Sequence, residues 1–320
     1  LPEKIGGWIK LIANTLVGVA RDMHAWTDLD GVRYTAIGTD RKLYIYTEGV
    51  AYDITPIRDT GSITGFETFS NTTVTVTDPS HGAEVGDFVT ISSTSGAVNG
   101  IPAATMNAEY EILTVPSAST YTIETATAAT STGTSSETAT ATYQISVGTA
   151  VSQYGYGWGT YQWGKEEWGT PRSTSNVTIE GRNWSFDNFG EDLLATVNNG
   201  KTFRWDTSTG TGSRAAVIAN APTVSRFNLV SMPDRHVFLF GTETTIGSST
   251  TQDDLFLRFA SQEDYNTWTP TATNTAGSFR IQDGSKIVTA VRSRNAVLVW
   301  TDTSLNALQF VGAPFTFNLT

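Results

Sequence analysis

A two-stranded unit with one apolar face recurs along the chain, and such a unit is not stable until something covers that face. The unit is an apolar strand, a polar turn and a second apolar strand that ends in a Thr, Asp, Gly or Glu cluster. Its second strands span residues 43–48, 202–207, 237–242 and 297–302, and their partner strands span 34–38, 193–197, 227–231 and 287–291. The turns are Thr39-Asp40-Arg41, Asn198-Asn199-Gly200, Met232-Pro233-Asp234-Arg235 and Arg292-Ser293-Arg294-Asn295, rich in residues that favour reversals. An all-β fold of mutually covering sheets follows.

Spacing narrows the choice. Phe203 and Phe238 lie 35 residues apart, and the longer interval to Leu298 leaves room for another strand pair around residues 254–260. Propeller blades recur at about 40–50 residues and stack radially, so the reading is a β-propeller, incomplete within this stretch, with a β-sandwich as the structural rival. The segment Thr196-Val197-Asn198-Asn199-Gly200-Lys201-Thr202-Phe203 resembles the Asp-box hairpin of sialidase-like propellers. That resemblance implies a turn whose short polar side chain bonds its backbone and whose glycine takes positive φ.

Between about residues 65 and 147 the character changes: Thr, Ser, Ala and Val dominate, and 73–77, 88–92 and 110–114 alternate with period two. These residues read as an inserted small β-barrel or sandwich that ends in a low-complexity run, 125–142, expected as a mobile loop or long edge hairpin. Domains are thus expected at 1–64 (first part of the propeller), 65–147 (insertion) and 148–320 (remainder). The remainder includes a Trp-Gly loop at 154–170, where Trp158, Trp163 and Trp168 each precede a glycine at five-residue intervals. Those indoles fold back onto a core, form a candidate subunit interface, or make a sugar-stacking platform.

Charge restricts the partners. With 20 Lys and Arg against 31 Asp and Glu, the net charge is −11, which disfavours tight binding to nucleic acid but suits a wall that DNA slides past. There is no cysteine, so neither disulfides nor thiolate chemistry is available. The apolar stretch 9–20 is interrupted by Lys10 and Asn14 and too short to span a bilayer, no signal-peptide pattern precedes it, and no membrane insertion is expected. The chain begins at Leu1, as a piece of something longer would.

Chemical motifs are sparse. His24, His81 and His236 are isolated in sequence and read as turn or surface residues, so no metal site is expected. The acidic pairs at Asp28/Asp30, Glu191/Asp192, Asp253/Asp254 and Glu263/Asp264 complete no calcium loop and read as solvated turns. No nucleophile elbow, phosphate loop or dinucleotide fingerprint occurs. No catalytic residue and no cofactor is assigned, and an enzyme is not expected.

Several segments resemble virion proteins of tailed bacteriophages. They are His24-Ala25-Trp26, Asp28-Leu29-Asp30-Gly31, Ala36-Ile37-Gly38-Thr39-Asp40 with Lys42-Leu43-Tyr44, Tyr52-Asp53-Ile54-Thr55-Pro56-Ile57, and Trp184-Ser185-Phe186-Asp187-Asn188-Phe189-Gly190-Glu191-Asp192-Leu193-Leu194. Within the insertion, Asp78-Pro79-Ser80-His81-Gly82, Val85-Gly86-Asp87 and Gly100-Ile101-Pro102 resemble a small β module of phage structural proteins. In particular they look like segments of the tail hub or nozzle proteins of short-tailed phages, also called packaged-DNA stabilisation proteins. The resemblance implies a structural propeller subunit of the virion tail, six copies of which form a ring below the portal and adaptor. That ring touches other tail proteins and lets double-stranded DNA pass transiently through its lumen, which the acidic composition suits. The alternatives are a carbohydrate-binding adhesin or tail-fibre module and a sialidase-like propeller hydrolase.

Overall fold

The computed structural model describes residues 14–149, 151–152, 180–232, 234–312 and 315–320. Its contacts divide the chain into two units, Leu1–Ile54 with Val151–Thr320, and Thr55–Ala150. Both are built of small open antiparallel sheets, so the chain is all-β.

Strands β1 (Ala20–Thr27), β2 (Arg33–Thr39), β3 (Leu43–Thr47) and β4 (Val50–Asp53) pair in that order as the first sheet. The chain then enters the smaller unit through β5 (Ile57–Ile63), β6 (Gly65–Phe69), β7 (Thr73–Thr77) and β8 (Phe88–Ser92). A single helical turn, α1 (Ala103–Met106), leads to β9 (Glu109–Glu111), β10 (Thr114–Ser117), β11 (Thr120–Glu124), β12 (Thr132–Ser135) and β13 (Ala139–Gln144). Back in the larger unit, β14 (Trp184–Phe189), β15 (Asp192–Val197), β16 (Thr202–Trp205) and β17 (Ala216–Val217) form the second sheet. The third is β18 (Phe227–Val230), β19 (Val237–Phe240), β20 (Phe256–Phe259) and β21 (Gly277–Arg280). The fourth is β22 (Ile287–Arg292), β23 (Val297–Thr301), β24 (Leu305–Gly312) and β25 (Thr316–Leu319).

The described residues of the larger unit therefore form four four-stranded meanders, and these pack on one another in chain order. The third shows why. All four residues of β19 have 0% exposure. Val237 and Leu239 join Phe189 and Leu194 of the second sheet in one core, while Phe238 and Phe240 join Val299, Leu308 and Phe317 of the fourth in another. A strand covered on both faces reads as an unbroken apolar run, and each such side chain contributes about 1.5–3 kcal/mol on burial. The first and second sheets meet through Trp205, whose indole lies 5.6 Å from the Tyr34 ring, and through Trp184, whose Nε1 donates to Thr39 O at 2.8 Å.

The recurring hairpins do not sit at equivalent places. In the first two sheets they are the second and third strands, and in the last two the first and second. The apolar hairpin recurs, and its position in the meander shifts by one. Residues 254–260 supply one strand, β20, whose next partner β21 comes only at Gly277–Arg280.

In the smaller unit a five-stranded sheet, β10-β11-β7-β6-β12, and a four-stranded sheet, β5-β13-β8-β9, share one core. Phe66, Val74, Val76 and Ile123 come from the first, Ile63, Val89, Ile91 and Ala141 from the second. The unit begins at Thr55, ten residues before the composition changes, because β5 pairs with β13. Residues 57–62 are mostly exposed, so no alternation marked them as strand. The low-complexity run contains the edge strand β12, but it also supplies β13, an interior strand whose Ala139, Ala141 and Tyr143 point into the core.

That core carries a polar centre. Tyr143 donates to Asp78 Oδ2 at 2.6 Å, its hydroxyl lies 3.3 Å from that of Tyr121, and a Cβ on Gly61 would fall 2.0 Å from the same Asp78 oxygen. Burial pushes both phenols far above the ordinary tyrosine range. They ionise less readily folded than unfolded, so the stability they hold is complete below about pH 10 and falls above it. In an alkaline titration followed by phenolate absorbance, at least two of the 11 tyrosines will appear only with unfolding; smooth ionisation of all of them before any loss of circular dichroism contradicts this. In the larger unit a Cβ on Gly38 would meet the Trp184 ring at 2.4 Å. Gly38→Ala is expected to cost about 1–3 kcal/mol by overpacking the joint between the first two sheets, read as a lowered urea midpoint.

Candidate functional site

Stacking in chain order turns the first strands of the four sheets described in the larger unit to the same side, and there they line an open cavity of about 560 Å³. β1 contributes Asp22 and His24, β14 Trp184 to Asp187, β18 Phe227 to Leu229, and β22 Val288 to Arg292. Its walls are mixed. Trp184, Phe186 and Phe227 present aromatic surface beside Ser185 and Asn228, whose side chains bond each other at 3.0 Å.

The charged groups of the cavity are largely satisfied within the protein. Asp187 accepts from the Val230 backbone N–H at 2.7 Å and pairs with Arg292 Nη1 at 3.1 Å, and Arg292 also donates to Val230 O at 3.2 Å. One carboxylate of the second sheet thereby holds the first strands of the third and fourth. Asn188 Nδ2 donates to Asp192 O, which turns its Oδ1 to accept from His24 Nε2 at 2.5 Å. Asp22 is the remaining carboxylate, and burial holds it above its usual range against the opposing Met23 N–H and His24. The cavity of a single chain is thus close to neutral, and the net negative charge resides elsewhere.

The acidic turns are not simply solvated. Asp192 and Asp206 both pair with Arg204, at 2.7 and 2.8 Å, Asp253 pairs with Arg280 at 2.6 Å, and Asp254 with Arg226 at 2.7 Å. Asp28 accepts from Val32 N within its own turn. The likeness to an Asp-box is local and incomplete: Asn199 takes the positive φ of 55°, Gly200 does not, and Asn198 donates to Glu180 rather than to the turn. Phe203 does pack inside the sheet.

Two histidines leave the surface that the sequence suggested for them. His81 is buried in the smaller unit, where its ring lies 5.1 Å from Tyr121 and its Nδ1 accepts from Ala83 N. His236 has 0% exposure and sits at the centre of a polar chain. Its Nδ1 donates to Asp234 Oδ2 at 2.9 Å, Ser231 donates to the same oxygen at 2.5 Å, and Nε2 lies 3.1 Å from Thr275 Oγ1. The order carboxylate, imidazole, hydroxyl is that of a nucleophile relay. Here the ring is walled by Phe259, Phe310 and Phe317, so the chain of bonds ties the β18–β19 turn to the segment before β21. Only the spacing of Ser231, Asp234 and His236 around one turn hinted at it, and Thr275 lies too far along the chain to be linked to them by sequence.

Trp158, Trp163 and Trp168, the candidate subunit interface and the motive for a sugar-binding reading, lie outside the described residues. Among the described residues no three His, Asp or Glu side chains form a metal-sized group, and no helix is long and apolar enough to cross a membrane.

No protein-family model matches the chain, and no curated protein matches it. Among solved structures it is similar to the phage phi92 endosialidase, with 14% identity and a TM-score of 0.28. The similarity covers 94% of this chain and 46% of that one, so the chain spans less than half the length of that structure.

Burial raises the Asp234 carboxyl, but hydrogen bonds from His236 and Ser231 outweigh it, leaving Asp234 below its usual range. A depressed folded pKa gives stability that is complete above about pH 4 and lost as pH falls through the folded value. Asp234→Asn should therefore lower the urea midpoint at pH 7 and differ less from the unaltered protein at pH 3. An equal gap at both pH values would contradict the assignment.

Proposed function

We propose that this chain is a structural, non-enzymatic subunit of a bacteriophage tail, a propeller-type block whose blades include the four stacked meanders. Copies of it join in a hexameric ring, a nozzle or hub below the portal and adaptor, that retains packaged DNA and conducts it during ejection. The observation that carries the reading is the stacking of four sequential meanders with their first strands around one cavity. That is the arrangement by which radially repeated sheets protect their edges. The sequence segments that resemble nozzle proteins fall on these same sheets, at β1 to β4 and β14 to β15.

Charge supports the role of conduit. A chain of net charge −11 repels the phosphate backbone, so DNA meets no deep wells as it moves. The single-chain cavity is near neutral, so an acidic lumen belongs to the assembled ring in this reading.

The test is electron microscopy of the purified protein, alone and with portal and adaptor proteins. Rings that seat on the adaptor are expected, together with no retention of duplex DNA at physiological salt. A protein that stays monomeric in the presence of those partners would sink the proposal.

A further inference from the structure

We infer that a pocket between the third and fourth sheets is a socket for a tyrosine side chain of a partner protein, one that carries a carboxylate beside the tyrosine. The inference goes beyond the ring reading and does not rest on it.

The pocket has a volume of about 280 Å³ and lies where the β18–β19 turn of the third sheet faces the β22–β23 turn of the fourth. Both walls thus belong to meanders that already pack on each other through a shared core. The third-sheet wall is also fixed from behind. Asp234 Oδ2 accepts from His236 Nδ1 and Ser231 Oγ, and the His236 ring lies 5.7 Å from Phe310 and 5.0 Å from Phe317. A wall held in this way loses little freedom when something docks on it.

The pocket has an apolar floor, an apolar mouth and two charged groups. Val297, Leu308 and Phe317 form the floor and are buried, as parts of the core between the two sheets. Met232 and Phe310 stand at the mouth, 58% and 39% exposed. Asp234 comes from the third-sheet turn and Arg294 from the fourth-sheet turn. Asp234 takes both side-chain bonds on one oxygen, so acceptor capacity remains on its carboxylate. Arg294 is exposed, and among the described residues it makes no hydrogen bond or ion pair.

These features choose among side chains. A floor and mouth of this kind suit the flat apolar body of an aromatic ring. A phenylalanine or leucine would press carbon against the Asp234 carboxylate and leave its acceptors without a donor, which opposes binding. A lysine would meet the like charge of Arg294. Tyrosine has the apolar body and a donor at its tip, and the smaller unit already contains that pairing, with Tyr143 donating to Asp78 at 2.6 Å. Arg294 then selects the neighbour, because an acidic residue beside the tyrosine brings a carboxylate to its guanidinium. The source is a polypeptide, since Met232 and Phe310 carry the apolar surface out past the pocket, where a larger partner covers it and a free small molecule does not.

The experiment follows the imidazole NMR signals of the three histidines during titration with blocked tripeptides. His236 touches Phe310 at the pocket, while His24 lines the other cavity and His81 lies in the smaller unit. Acetyl-Asp-Tyr-Asp-amide is expected to move the His236 signal saturably, with a Kd in the roughly millimolar range, and to leave the other two in place. The Asp-Phe-Asp peptide is expected to bind at least about tenfold more weakly, as loss of a hydrogen bond to a charged group requires. Lys-Tyr-Lys is also expected to bind more weakly, and Arg294→Glu, an exposed substitution whose folding circular dichroism checks, is expected to reverse the order of the Asp and Lys peptides. Equal binding of Asp-Phe-Asp overturns the pairing with Asp234, and an unreversed order in Arg294→Glu overturns the choice of an acidic neighbour. If free 4-hydroxyphenylacetate binds as tightly as the tripeptide, the source is a small molecule and the protein partner is wrong. A shift at His24 in place of His236, or no shift at about 10 mM peptide, overturns the site itself. Each of these outcomes leaves the ring reading untouched, because none of them depends on assembly.

Discussion

The larger unit depends on apolar side chains packing from both sides of a single sheet. In β19, four consecutive side chains share out between two cores, so neither core exists without the sheet between them. Each meander is marginal by itself, because a sheet with one bare greasy face gains too little to offset the entropy of ordering its strands. Stability is thus a property of neighbouring pairs, as in other stacked-repeat architectures. A defect at one joint, such as that between Gly38 and Trp184, acts on the two sheets that share it.

Polar groups sit where this packing needs direction. Arg204 and Arg226 gather carboxylates from more than one turn, and the Asp234–His236–Thr275 chain fixes a turn under an aromatic lid. These contacts add little net energy to folding, but they leave few alternative registers for the turns. The smaller unit uses the same device, with Tyr121, Tyr143 and Asp78 inside an otherwise largely apolar core.

Strong period-two alternation and unbroken apolar runs made much of this legible from sequence. Residues 73–77 and 88–92 are strands β7 and β8 as read, and the hairpins around Leu43, Phe203, Phe238 and Val299 are present. The strand β5 was not legible, since Arg58-Asp59-Thr60-Gly61-Ser62 earns its place only by pairing with β13. β13 itself hid in an Ala/Thr run, where small side chains fill the core without any hydrophobic peak. Positions of the polar cavity groups were equally silent, because Asp22, Asp187 and Arg292 meet through the stacking of sheets far apart in sequence. At Asn199 and Gly200 the turn was foreseen but the wrong residue was given the left-handed backbone.

The bonds around Asp187 bear on shape more than on strength. A carboxylate on the first strand of one sheet that grips an amide on the first strand of the next and a guanidinium on that of the one after sets the angle between successive meanders. Because the three anchors join the first strands of three successive sheets, shortening or slackening them changes the angle between neighbouring sheets while each hydrophobic joint stays intact.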